Sequence, residues 1–158
     1  MVGSGEMAAE LVNLTSRLEL DNVRFRGFAN QSVLPQIYGA ADVFVLPSDN
    51  EPWGLAVNEA MCAGLPIVAS AEIGCVADLV RAGVNGQTFA AGDVEGLANA
   101  LRLVFVDRET RTHMSSASRD IISRWSYAEC AAGLQAALIR AGVRAGQPGC
   151  SRTIGSKW

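Results

Sequence analysis

Histidine and lysine are almost missing from this chain of 158 residues: His113 is the single histidine and Lys157 the single lysine. The first scarcity removes an imidazole-built metal centre. The four cysteines, Cys62, Cys75, Cys130 and Cys150, are too far apart to form a Cys-x-x-Cys pair in its place. That spacing also argues against a disulfide framework and for reduced thiols, so a cytoplasmic setting is expected. A basic surplus is lacking as well. Thirteen basic residues face sixteen acidic ones for a net charge of −3, which gives nucleic acid or an anionic membrane no electrostatic handle. No apolar run reaches membrane-spanning length, and the first residues carry neither the basic nor the apolar stretch of a signal peptide.

What is present is ordinary globular material, 49% hydrophobic and 18% charged, at a length suited to one domain. Short β-branched runs alternate with longer amphipathic stretches. Met1 and Val2 read as the last step of a strand, turned by Gly3 and Gly5 into a helix over about 6–18. Residues 23–27 alternate apolar and polar and read as a strand, and helix returns over 32–38. Asp42 to Leu46 is a continuous apolar run closed by Pro47, as expected of a strand covered on both faces. A loop over 48–53 leads into a helix over about 54–63, and Gly64 and Pro66 stop it before a short strand at 67–69. This alternation predicts an α/β fold, a three-layer, Rossmann-like domain with an open parallel sheet. Three helices follow in series. Asp93 caps the first, the second spans about 108–123, and Ser126 with Glu129 forms a capping box for the third. Tyr127, Ala131, Leu134 and Leu138 give the third an apolar stripe.

The chemically informative stretch runs from Ser48 to Pro66. It places Glu51 in the loop leaving a buried strand, Gly54 at the start of a helix, and Glu59 just over one turn in. The amides of Gly54, Leu55 and Ala56 have no partner within the helix, and with the helix dipole they suit a phosphate. Glycine at 54 would let a ligand approach the backbone closely. Carboxylates accept hydrogen bonds from paired hydroxyls, so two acids beside a phosphate site suggest a sugar phosphate or nucleotide sugar. Glu59 also sits among Leu55, Ala56, Val57, Ala60 and Met61, where an acid needs a partner or a ligand.

Glu51-x7-Glu59, followed by Ala60 and Met61 and then Gly64, Leu65 and Pro66, closely resembles the signature of family 4 glycosyltransferases of the GT-B fold. The likeness extends upstream through Val23–Phe28, Tyr38 and Ala41–Ser48. Downstream it takes in Asp78–Val80, Gly83–Gly86, Gly92 and Asp93, and Trp125 and Ser126, covering about residues 1 to 142. It implies the C-terminal, donor-binding half of such an enzyme. Glu51 would lie against the donor sugar as the catalytic candidate, and Glu59 would hold the ribose hydroxyls. The amides of Gly54, Leu55 and Ala56 would meet the diphosphate, and Gly27 and Phe28 would flank the base. The implied reaction moves a sugar from a nucleotide-diphosphate donor to an acceptor hydroxyl with retained configuration, with no metal and no other cofactor. Trp53 stands where phenylalanine is more usual.

The family's domain opens with another strand and a glycine-rich turn whose arginine and lysine clamp the diphosphate. This chain starts after that point. The expectation is therefore a donor-binding domain over 1–144 lacking its first strand and its partner acceptor-binding domain, with a flexible tail at 145–158. Alone it would transfer no sugar, and apolar surface left uncovered on the last helix would encourage a homo-oligomer. The alternatives are a sugar-nucleotide epimerase of similar architecture, or a remnant that only binds nucleotide or another protein.

Other signals carry less. Gly3-x-Gly5-x-x-Ala8 imitates a dinucleotide fingerprint, but only two residues precede it where a full strand is required. His113 sits in a polar helical stretch. Arg108, Arg111, Arg119 and Arg124 alternate with Asp107, Glu109 and Asp120, as on a solvated helix face. Cys62 and Cys75 stand in apolar company and read as small core residues.

Overall fold

Strand β2 (Ile67–Ser70) is buried at every residue and organises the first of two units, Met1–Ile122. The computed structural model describes residues 1–142; the tail expected over 145–158, with Cys150 and Lys157, lies outside them. On one side of β2 runs β1 (Phe44–Leu46), with Val45 opposite Val68. On the other runs β3 (Gly86–Phe89), with Gln87 opposite Val68. All pairings are parallel, and the sheet stays open.

The pleat of β2 divides the core. Ile67 and Ala69 join Val57, Ala60 and Met61 of helix α3 (Leu55–Cys62) and Leu79 of α4 (Val76–Leu79). Val68 turns the other way, to Ala100 and Val104 of α5 (Val94–Val104) and Met114 of α6 (Arg108–Ile122). Alternate residues therefore feed opposite layers, and helices cover both faces. Complete burial of Val57 and Met61 stabilises the α3 layer by roughly 1.5–3 kcal/mol per side chain. The first unit also contains α1 (Ala8–Arg17) and α2 (Leu34–Gly39), the latter with Pro35 in its first turn.

Helix ends follow the sequence closely. The Asp93 carboxylate accepts from the Gly96 amide at 2.8 Å, as an N-cap does. Helix α3 stops at Gly64, whose φ of +78° carries the chain through the left-handed region while Leu65 N–H returns to the Ala60 carbonyl at 3.0 Å. Ser118 Oγ donates to the Leu65 carbonyl at 2.8 Å, so α6 satisfies a carbonyl that α3 cannot.

Three elements depart from the sequence reading. No strand forms at 23–27. The segment pairs only briefly with the first residues, through Arg26 N–H to Met1 O at 3.0 Å and Gly3 N–H to Gly27 O at 2.7 Å. The chain turns away at Gly3, so the pairing is too short to become a ladder. Conversely, β3 and α4 form where no element was expected. Asn85, fully buried, donates to the Leu79 carbonyl at 3.0 Å and accepts from the Arg81 amide at 2.7 Å, closing the turn that delivers β3 to β2.

The second unit begins at Ser123 and contains α7 (Tyr127–Arg140). Its capping box is complete: Ser126 Oγ accepts from Ala128 N–H at 3.1 Å, and Glu129 takes the Ser126 amide at 2.9 Å. Tyr127, Leu134 and Ile139 are exposed.

Candidate functional site

Strand β1 ends at Leu46, and Pro47 and Ser48 begin the loop to α3 at the carboxyl edge of the sheet, where open α/β sheets take their ligands. The loop is pinned from its far side. Gly74 N–H donates to the Glu51 carbonyl at 3.1 Å and Cys75 N–H to the Trp53 carbonyl at 2.9 Å. Ser70 Oγ also donates to the Ser48 carbonyl. Rigid β2 and its following turn thus position the start of α3.

Gly54 is buried and has a φ of +95°. A Cβ there would lie 2.8 Å from Ile73 Cγ2 and 3.3 Å from Cys75 Sγ. Glycine is required there by the left-handed backbone and by packing against Ile73. Burial pushes the Cys75 thiol above its ordinary range, so it serves here as a packed, neutral group.

Glu51 lies at the open end of α3. Its Oε1 accepts from Gly54 N–H at 3.0 Å and from Trp53 N–H at 3.4 Å. A carboxylate is favourable at a helix N-terminus, and it takes the Gly54 amide that the sequence reading had offered to a phosphate. The amides of Leu55 and Ala56 are first-turn groups that precede any intrahelical carbonyl partner. The Trp53 indole Nε1–H donates to Asn58 Oδ1 at 3.1 Å, a brace from loop to helix that phenylalanine could not make.

One turn on, Glu59 is exposed, although its neighbours Val57, Ala60 and Met61 are buried. The helix is apolar on one side only, and Asn58, Glu59 and Cys62 line the other. Tyr38 Oη donates to Glu59 Oε2 at 2.9 Å. The Tyr38 ring packs edge-on against Phe44, centroids 5.9 Å apart and planes at 65°. Burial first, then the bond to Glu59, pushes the Tyr38 hydroxyl up to about 12, so it remains a donor throughout the physiological range.

Two hollows meet at Glu59. A groove of about 680 Å³ is lined by Phe28, Ala29, Asn30, Gln31, Ser32, Leu34 and Glu59. A neighbouring cavity of about 620 Å³ is lined by Leu34, Pro35, Tyr38, Asn58, Glu59 and Cys62, among others. Phe28, expected beside a base, and Glu59, expected beside a ribose, therefore share one groove. Gly27 precedes it with a φ of +65°, which turns the chain toward Phe28. Cys62 is exposed on the cavity and is not the core residue its apolar neighbours suggested. Sequence reasoning gave Tyr38 no role and passed over Gly74, whose one signal was a glycine placed shortly after a buried strand.

Comparison with known proteins follows the same lines. The family model for glycosyl transferases group 1 matches residues 1–121. Sulfoquinovosyl transferase SQD2 of Arabidopsis thaliana is 40% identical over 106 residues, which are 65% of this chain and 21% of that protein. A D-inositol 3-phosphate glycosyltransferase of Saccharomonospora viridis is 36% identical over 127 residues, 79% of this chain and 29% of that one. The chain thus spans about a fifth to a third of the length of such relatives. Among solved structures, sucrose-phosphate synthase of Thermosynechococcus elongatus superposes with a TM-score of 0.74 at 29% identity, covering 89% of this chain and 38% of that one. Anabaena HepE in complex with UDP and glucose gives 0.73 at 28%, covering 89% and 39%.

Proposed function

Because the chain belongs to the glycosyl transferases group 1 family, we propose that it is the donor-binding domain of a retaining glycosyltransferase. The observation that carries this reading is the shared groove: Phe28 offers a ring face for a base, and Glu59, on the opposite element, offers a carboxylate for a ribose diol. The structural relative HepE, solved with UDP and with UDP-glucose, supports a nucleotide-sugar ligand.

In this proposal the diphosphate lies at the start of α3, against the amides of Leu55 and Ala56. Glu51 sits beside it, facing the donor sugar. Transfer breaks the bond between the sugar's anomeric carbon and the diphosphate oxygen and forms one from that carbon to an acceptor oxygen, whose proton passes to the departing diphosphate. Negative charge grows on the departing diphosphate, where the helix terminus stabilises it. The Glu51 carboxylate keeps the Gly54 amide, since two anions on one donor would repel, and the diphosphate takes the next two. We propose no metal here; chelation with EDTA should leave nucleotide affinity unchanged.

The acceptor, its binding domain and turnover itself are assigned to a longer protein, in line with the share of its relatives that this chain spans. Turnover by purified protein of this length would contradict that. The exposed apolar side chains of α7 support a homo-oligomer, and the free thiols among the described residues support a cytoplasmic setting. Calorimetry with UDP, GDP and ADP tests the donor site. Heat with one of them, weakened by Glu59→Ala, is expected; silence with all three would favour a remnant that has lost its ligand.

A further inference from the structure

We infer that Tyr38 is a positioning residue for the nucleotide's ribose, acting through Glu59 rather than by touching the ligand. The inference rests on the donor-site reading and adds to it a side chain 21 residues from the acid it serves.

Glu59 is exposed, and an exposed glutamate on a helix samples several rotamers, so grasping a diol would cost it that freedom. Tyr38 removes part of the cost beforehand. Its hydroxyl holds Oε2 at 2.9 Å, which leaves Oε1 and the remaining lone pairs of Oε2 for two neighbouring sugar hydroxyls. The hydroxyl can do this only if the ring is itself fixed. The ring lies edge-on to Phe44 of β1, and Phe44 packs against the buried core that contains Ile67 and Ala69. A chain of contacts thus runs from the sheet through Phe44 and Tyr38 to the carboxylate on the groove. Glu59 needs no such partner for stability, because water could solvate it where it stands. The bond therefore organises the acid for a ligand instead of rescuing a buried charge.

The ribose contrast tests this. Affinities of the 158-residue protein are measured for whichever of UDP, GDP and ADP binds it, and for the 2′,3′-dideoxy form of the same nucleotide, in wild type, Tyr38→Phe and Glu59→Ala. We expect Tyr38→Phe to weaken the ribonucleotide about three- to tenfold, the worth of one net hydrogen bond, and to leave the dideoxy form unchanged. Equal weakening of both forms would show a merely structural role and overturn the inference, as would no change in either. If Glu59→Ala abolishes discrimination between the forms while Tyr38→Phe does not, the donor site stands and only the role of Tyr38 falls. If wild type binds none of the three ribonucleotides, both fall. Phe44→Leu loosens the ring while keeping the hydroxyl, and it should shift the same contrast in the same direction by less. That variant carries the test if Tyr38→Phe lowers the melting temperature sharply.

Discussion

Gly74 and Glu51 meet backbone to backbone, the amide of one donating to the carbonyl of the other at 3.1 Å. The turn after β2 therefore grips the loop that carries the first site acid. The two segments are so close that a Cβ on Gly74 would lie 2.0 Å from the Pro52 carbonyl oxygen. Since that obstacle is backbone, Gly74→Ala must push the loop away. It should cost about 1–3 kcal/mol in a urea titration, as overpacking does. It should also reduce nucleotide binding in calorimetry, because Glu51 and the start of α3 move with the loop. Unchanged stability and binding would show that the grip is unimportant.

Gly86 makes a similar demand on the sheet. A Cβ there would lie 1.9 Å from the Ile67 carbonyl oxygen, within the β2–β3 pairing. Gly86→Ala should therefore separate the strands and destabilise the protein by about 3 kcal/mol, at the upper end of overpacking effects. Gly83→Ala would add a Cβ into open space and cost only its left-handed backbone strain, so it should be the milder change in the same denaturation assay.

β3 also shows where the sequence ran out. Residues 42–46 and 67–69 were legible as strands because each holds a short run of apolar, β-branched and aromatic side chains, although only the second is buried throughout and Val45 of the first is exposed. The segment Gly86–Phe89 has no such run. Docking against Ile67 makes it a strand, a tertiary fact that periodicity does not encode. Helix ends were legible at Asp93, Ser126 and Gly64, where a single side chain or its absence decides the backbone. Residues 23–27 alternated correctly, but alternation without a partner long enough to pair gives no ladder. In the site, the spacing of Glu51, Gly54 and Glu59 was visible along the chain. The bond from Tyr38 to Glu59 was not, because nothing local ties residues 21 apart.

Cysteine chemistry checks the side of α3 that sequence pattern misjudged. Cys62 is exposed on the cavity beside Tyr38 and Glu59, whereas Cys75 is buried with its thiol pushed up by burial. Brief iodoacetamide treatment at pH 7.5, followed by peptide mass spectrometry, should label Cys62 and spare Cys75, since thiolate and access are both needed. Comparable labelling of the two would contradict the difference in their burial.

Two caps predict an acid sensitivity. The Thr110 amide, then its hydroxyl, hold the Asp107 carboxyl below its ordinary value. The Ser126 hydroxyl, then its amide, do the same for Glu129. A carboxyl depressed in the folded state contributes its full stabilisation above its unfolded value, here 3.8 and 4.5, and loses it as pH falls through the folded one. Helicity by circular dichroism should thus hold from pH 7 to about 5 and decline below about 4. Asp107→Asn should flatten part of that decline. An identical profile in the variant would mean the Asp107 cap is not charge-dependent.

The central claim is that Phe28, Glu59 and the first amides of α3 line one site for a nucleoside diphosphate. Amide and aromatic NMR spectra recorded with UDP, GDP and ADP test it most directly. For the nucleotide that binds, the account predicts the largest shifts at the Phe28 ring, the Leu55 and Ala56 amides and Glu59, with those of Phe28, Leu55 and Ala56 needing more nucleotide to saturate in Glu59→Ala. Shifts confined to other surfaces, or unaltered by that substitution, would contradict it.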